Sequence, residues 1–324
     1  FNHKFNEMMK GKGKILRRRS VDNVIEEIVG VANKYPLELV YFRDDSFNLI
    51  PEWIEEFSEK YSKIVKIPFV CTSHLNAMND NIAKALKKAG CVTVELGIES
   101  GNTRVRNEIL KRHMKDKTII EGIKILKSHG IQILSENILG NPGTTLEEDL
   151  ETFSMNKKCG VDYANSGMLQ PMFGTDIYKT AIEENVLNKD AYKAGEQEEL
   201  TFLTGGTLLN ITNREERVRL NKIIAVSSYL KLPMFLVKIL IRLPLQGVYS
   251  LAHIVFKGYA GTRLYPFRRS IKETTAMVID VLRMGRDNID KRLGESLKKF
   301  LAKEELDQRK NPANQKLGQL FGDV

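Results

Sequence analysis

Three carboxylates, Asp44, Asp45 and Glu99, follow directly on strand-forming runs in "LELVYFRDDS" and "CVTVELGIESGN". At such places a carboxylate can accept hydrogen bonds from a ligand's hydroxyl or ammonium groups, or carry a proton as general acid or base. Other strand-like runs end the same way. "FVCTSH" closes in Thr72-Ser73-His74, "IQILSENIL" carries Asn137, and "VDYANSGML" is followed by Gln170. Gly97 and Gly101 fence Glu99 and Ser100, and glycine beside a strand points to close backbone approach. Each of these side chains alone is equally well read as a cap or a solvated turn. The set is what argues for a ligand-binding rim.

Other chemistries leave no pattern. His3, His74, His113, His129 and His253 do not pair with Cys, Asp or one another at metal-ligand spacing. A turn hydrogen bond is the expectation for His74, and a helix C-terminus for His129. No G-x-S-x-G, P-loop or G-x-G-x-x-G motif occurs in strand–helix context. The cysteines, Cys71, Cys91 and Cys159, are too few and scattered for a disulfide framework or a metal knuckle. They read as buried, unreactive thiols, and a reducing, cytoplasmic setting is the expectation, with membrane association as a further option.

The elements that must position the rim alternate strand and helix over roughly the first 185 residues. Ser20 caps a helix through Asn33 that stops before Pro36. Leu37–Phe42 reads as a strand, and Pro51 opens the next helix. Ile64–Thr72 reads as a second strand with Pro68 as an obstacle in its middle. Gly90 closes a helix, "CVTVELGI" is the third strand, and Gly130 ends the following helix. "IQILSENIL" is the fourth strand, Thr145 and Glu148 form a capping box, and "VDYANSGML" is the fifth. Such alternation means parallel strands with right-handed crossovers, winding toward a partial or complete β/α barrel. Ligands in that architecture sit at the carboxyl ends of the strands.

After about Val186 the pattern changes. Thr212 and Glu215 suggest another capping box, and the helices that follow break near Pro233 and Pro244. Ser270–Arg309 reads as an amphipathic helix. The charge divides likewise: from Glu215 onward 21 Lys/Arg face 11 Asp/Glu, whereas the first 214 residues hold 29 against 30. Between Arg217 and Lys272 stand eleven basic residues and no acid. The longest uncharged run there, Leu243–Phe256, has 14 residues, too short to span a bilayer. It reads either as a helical subdomain with snorkelling lysines or as a basic, apolar surface for anionic lipid. Nucleic acid is not expected, because the basic residues interleave with aliphatics.

Taken in order, "FRDDSF", "VELGIESGN", "NILGNPGTTLEED" and "MLQPMFGTDIY" resemble the radical S-adenosylmethionine superfamily, and most of all its cobalamin-binding-type branch. The resemblance covers Phe1 to about Leu187. It implies an α/β fold: an incomplete, radical-SAM-type partial β/α barrel over residues 1–187, then a mostly helical, basic region over 188–324. It also implies a [4Fe-4S] cluster, S-adenosylmethionine cleaved to a 5′-deoxyadenosyl radical, and an electron donor. By position, Asp44 and Asp45 would meet the methionine ammonium, and Glu99 and Ser100, after Gly97, the ribose. Ile138 and Gly140 would lie against adenine, with Asn137 within reach of the ribose or carboxylate.

One departure matters. The superfamily's C-x3-C-x2-C loop is absent, and the three cysteines present have the wrong spacing. Phe1 is not methionine, so the expectation is a fragment whose first strand and cluster loop, and a cobalamin domain as a further candidate, lie upstream. Such a chain would not cleave S-adenosylmethionine alone. The alternatives are a cluster-less, non-catalytic relative, or a conventional β/α-barrel lyase or isomerase using Asp44, Asp45 and Glu99. The substrate expected is a small molecule, with a hydrophobic one favoured by analogy. No residue is assigned as radical quencher or proton donor, and none as a metal ligand.

Overall fold

The computed structural model describes residues 10, 17–187, 206, 207 and 209–266. Five strands form one sheet in the order β1-β2-β3-β4-β5, every neighbouring pair parallel. They are β1 (Val40–Phe42), β2 (Phe69–Thr72), β3 (Cys91–Glu99), β4 (Gln132–Leu139) and β5 (Tyr163–Met168). The crossover helices are α1 (Val21–Ala32), leading into β1, then α2 (Pro51–Ile64), α3 (Asp80–Ala89), α4 (Asp116–Ser128) and α5 (Leu146–Cys159). Each strand lies beside its predecessor in the chain, so the sheet winds one way, as a partial barrel does.

Local chemistry sets the boundaries. The Ser20 side chain accepts from the Asn23 N–H at the start of α1, and Thr145 and Glu148 form a reciprocal capping box on α5. Gly90, Gly130 and Gly160 all take positive φ where α3, α4 and α5 end. Two strands are shorter than their sequence suggests. α2 runs on to Ile64, and pairing begins only after Pro68, which has no N–H to give the ladder. The Pro68 carbonyl still accepts from Val40 N–H at 3.0 Å, and β1 therefore starts at Val40 rather than Leu37.

The helix-facing side of the sheet carries the main core. Phe57, Phe69, Leu86, Leu126 and Ile133 are wholly buried there. Phe42, Phe47, Phe57, Tyr61 and Phe69 meet mostly edge-to-face or tilted, with centroids 4.8–6.3 Å apart. Truncating a buried ring of this kind costs about 3–5 kcal/mol.

The C-terminal part is helical, comprising α6 (Asp176–Glu183), α7 (Arg214–Tyr229), α8 (Met234–Arg242) and α9 (Gln246–Leu264). α7 packs on β5 and α5, and both α8 and α9 pack on α7. The capping box expected from Thr212 and Glu215 does not form. Asn213, a residue type that tolerates left-handed backbone, enters α7 at φ 52° without a side-chain cap. The Arg214 guanidinium instead donates to the Thr207 carbonyl at 2.6 Å. The helix expected over Ser270–Arg309 lies outside the described residues.

Candidate active site

The inner face of the sheet is polar. Tyr41 of β1, Arg43 just after it, Glu95, Gly97 and Glu99 of β3, Glu136 of β4 and Asn165 of β5 share it. Their contacts bind the strands laterally. Arg43 lies 3.5 Å from Glu95, the Tyr265 hydroxyl donates to Glu95 Oε1 at 2.7 Å, and Asn165 donates to Glu136 at 2.8 Å. Nearer the amino ends of the strands, the end of α9 closes this face. Thr93 donates to the Leu264 carbonyl at 2.6 Å, and Phe256 stacks on Tyr163 with centroids 5.8 Å apart.

Glu99 is the pivot of the rim. The β3–β4 register shifts between Gly97 and Glu99, and Glu99 takes φ 64°, a left-handed conformation that is costly for a residue with a Cβ. The bulge folds its side chain back over Gly97. A Cβ on Gly97 would lie 2.3 Å from Glu99 Oε1 and 2.9 Å from Arg112 Nη2, so any larger residue would push the ends of this pair from their present places. Arg112 Nη2 sits 3.6 Å from Glu99 Oε1. Among the described residues the Glu99 carboxylate accepts no hydrogen bond, and the buried Arg112 Nε has no acceptor. Burial pushes the Glu99 carboxyl above the usual range, and Arg112 opposes that shift.

The other rim residues divide. Asp44 and Asp45 are exposed just beyond β1. Asp44 helps to line a cavity of about 580 Å³ between α1 and β1, together with Arg18 and Trp53. Ser100 is buried and its hydroxyl accepts from the Asn102 N–H at 3.2 Å, which shapes the turn after β3. Gly101 serves helix packing, since a Cβ there would lie 2.2 Å from the Glu151 carbonyl oxygen. Asn137 points to the helix side. Its amide donates to the Ser135 hydroxyl and the Asn165 carbonyl, and its oxygen accepts from Asn156 of α5 at 2.9 Å.

Ile138 is half-buried on the inner face, packed toward the C-terminal helices. Gly140, at φ 72°, gives its N–H to the buried Asp149 carboxylate at 3.1 Å. His74 accepts from the Asn76 N–H through Nδ1, and Gln170 donates to the Gly206 carbonyl at 3.0 Å. The structure thus gathers Gly97, Glu99 and Arg112 into one acceptor site. Asp44 and Asp45 stand two strands away, and Ser100, Asn137 and Gly140 are engaged in holding the rim's shape.

Glu95, Glu136, Arg43 and Arg112 were not foreseen as part of the site. The first two carried a signal, because Glu95, Gly97 and Glu99 recur at period two along β3. Glu136 is pushed up chiefly by burial, then by the facing Glu95 and Glu99 charges, with the Asn165 hydrogen bond pulling the other way. A carboxyl raised in the fold is stabilising while protonated, and that contribution is lost as pH rises through its folded pKa. Glu136→Gln is therefore expected to raise the melting temperature at pH 7.5 and to leave it unchanged near pH 4, which thermal unfolding at the two pH values checks.

Comparison with known families places the barrel. Residues 4–155 match the family model of the Radical SAM superfamily. This segment belongs to the radical SAM superfamily. An uncharacterized methyltransferase of Pyrococcus horikoshii is 33% identical over 176 residues, 54% of this chain and 38% of that protein. Cytidylyl-2-hydroxyethylphosphonate methyltransferase of Streptomyces wedmorensis is 23% identical over 186 residues, 55% of this chain and 35% of that one. The chain therefore spans little more than a third of these relatives' length. The radical S-adenosylmethionine methyltransferase TsrM of Kitasatospora setae, solved with tryptophan and a SAM analogue, superposes with TM-score 0.41 at 16% identity, over 47% of this chain and 30% of TsrM.

The residues present include an acceptor of the kind a nucleoside's hydroxyls need, but none that suits an iron–sulfur cluster. Glu99 offers a carboxylate with open acceptor positions beside a buried, acceptor-less Arg112 N–H. The thiols do not suit a cluster. Cys71 and Cys91 lie 3.9 Å apart inside the helix-side core, away from the rim, and Cys159 is in α5. Burial raises the Cys91 thiol well above its ordinary value, which disfavours thiolate. Among the described residues no group of three His, Cys, Asp or Glu side chains is placed to hold a metal ion.

Proposed function

We propose that the rim formed by β1, β3 and β4 binds S-adenosylmethionine for 5′-deoxyadenosyl-radical chemistry, with methylation, cobalamin-dependent in its leading form, as the favoured reaction. The observation that carries this reading is the Glu99 carboxylate. It is folded onto the inner face over Gly97, beside Arg112, with no hydrogen bond from the described residues. Bound S-adenosylmethionine supplies the adenosyl and methyl groups on which the superfamily's chemistry draws. The chain's own part is to hold it. Glu99 accepts from both ribose hydroxyls, and Arg112 opposes the upward shift that burial gives its carboxyl. Asp44 and Asp45 accept from the methionine ammonium, and Ile138 with the Gly140 turn offers an apolar face to adenine. Asn137 acts indirectly, by fixing β4 against α5.

The methyltransferase names of the two relatives support methylation, and the lack of suitably placed thiols bears on what the chain does by itself. Purified chain is expected to bind S-adenosylmethionine saturably in a calorimetric titration, with S-adenosylhomocysteine competing. It is expected to form no 5′-deoxyadenosine when iron, sulfide and a reductant are added. Absence of binding would remove the reading, and iron-dependent 5′-deoxyadenosine would overturn the assignment of the cluster ligands to another segment.

A further inference from the structure

α8 and α9 are apolar on two sides. On one side Val237 and Ile241 of α8, and Tyr249, Phe256, Ala260 and Leu264 of α9, are buried. On the other, Phe235 and Ile239 are 67% and 50% exposed, and Val248, Leu251, Val255 and Tyr259 are 59%, 62%, 62% and 46% exposed. The α9 set recurs at helical spacing, so it forms one stripe along the helix. Leu243 and Leu245, also exposed, continue it through the connection between the helices. Soluble surfaces scatter single apolar residues, but rarely string them along one helix face.

Charge identifies what such a surface meets. No acid occurs from Arg217 to Lys272, against eleven basic residues. Arg242 at the end of α8 and Arg263 on α9 are exposed at the edges of the apolar stripe, Arg263 donating to the Tyr229 and Tyr259 hydroxyls, while Lys238 reaches Glu147 of α5 at 3.7 Å. An apolar stripe edged by cations that the segment itself does not neutralise matches the two layers of an anionic lipid surface, phosphate outside and acyl chain beneath. Neither helix crosses it, since among the described residues no helix is long and apolar enough to span a membrane.

We propose that the exposed faces of α8 and α9 seat the protein on the surface of an anionic bilayer. The stripe lies in the interface, and Arg242 and Arg263 face the lipid phosphates. Such seating would bring the barrel next to membrane-dissolved molecules, independently of whether its rim binds S-adenosylmethionine.

Flotation of the full chain at low salt tests this, with phosphatidylcholine vesicles containing phosphatidylglycerol set against phosphatidylcholine alone. Binding to the anionic vesicles is expected, falling by roughly tenfold or more for Leu251→Glu/Val255→Glu. The separate pair Arg242→Glu/Arg263→Glu is expected to weaken binding by at least roughly fivefold per charge and to remove the preference for anionic lipid. Circular dichroism and the S-adenosylmethionine titration should be unchanged in both, since all four side chains are exposed. Failure of the wild-type chain to float with anionic vesicles would overturn the proposal. So would equal binding by both variants, or a wild-type dimer in solution that Leu251→Glu/Val255→Glu makes monomeric.

Discussion

Arg217→Met is expected to destabilise the protein by about 3–5 kcal/mol, seen as a lower denaturant midpoint at unchanged slope. Arg217 of α7 is wholly buried. Its guanidinium donates to the Thr144 hydroxyl at 3.2 Å and to the Thr144 carbonyl, and Nε lies 3.6 Å from Asp149 Oδ2. Asp149 in turn accepts the Gly140 N–H. Burial pushes the Asp149 carboxyl up to about 7 even with Arg217 and that N–H holding it down. Removing the cation leaves a buried carboxyl with one hydrogen-bond donor and severs the tie between α7 and the turn after β4. In the double variant Arg217→Met/Asp149→Asn the remaining partner is neutral yet still accepts from Gly140. It should recover about half of the loss; a double variant no better than the single one would show that packing, not charge, sets the cost.

Glu99→Gln is expected to lower S-adenosylmethionine affinity by about 10- to 100-fold, the worth of one or two hydrogen bonds to a charged acceptor. The amide keeps the size of the side chain but offers one oxygen in place of two, and it loses the Arg112 pairing. Since the carboxylate is already raised by burial, its loss removes a desolvation cost from the fold, so stability should hold or rise. Asp45→Asn, exposed two strands away, should weaken binding less, because water screens it. Calorimetric titration of the three proteins separates these cases. Equal affinities for wild type and Glu99→Gln would detach the ribose from this residue.

What the sequence disclosed and what it withheld follow from the range of each interaction. Caps and C-terminal glycines are local, and Ser20, Thr145, Gly90 and Gly130 all behave as their types dictate. The strand–helix alternation fixes the winding of the sheet, and that set the polar ends of the strands on a shared rim. Which face a strand residue occupies depends on register, which is where Glu136 and Asn137 part: neighbours in sequence, one lies on the inner face beside Asn165 and the other meets α5. Gly97 read as a place of close backbone approach, and the side chains that come over it are Glu99 and Arg112. Arg112 comes from the segment between β3 and α4, without periodicity to betray it. The Arg217–Asp149 pairing joins residues far apart in the chain, so nothing local foretells it. Even the failed cap at Thr212 has a local cause that only the backbone reveals, the left-handed Asn213.

The central claim is that the inner face at the carboxyl ends of β3 and β4 receives the nucleoside of S-adenosylmethionine. A cocrystal structure of the chain with S-adenosylmethionine measures that directly. The account predicts ribose hydroxyls within hydrogen-bond distance of the Glu99 carboxylate, with adenine against Ile138 and the Gly140 turn. Nucleoside density seated elsewhere, with Glu99 still facing only Arg112, would contradict it.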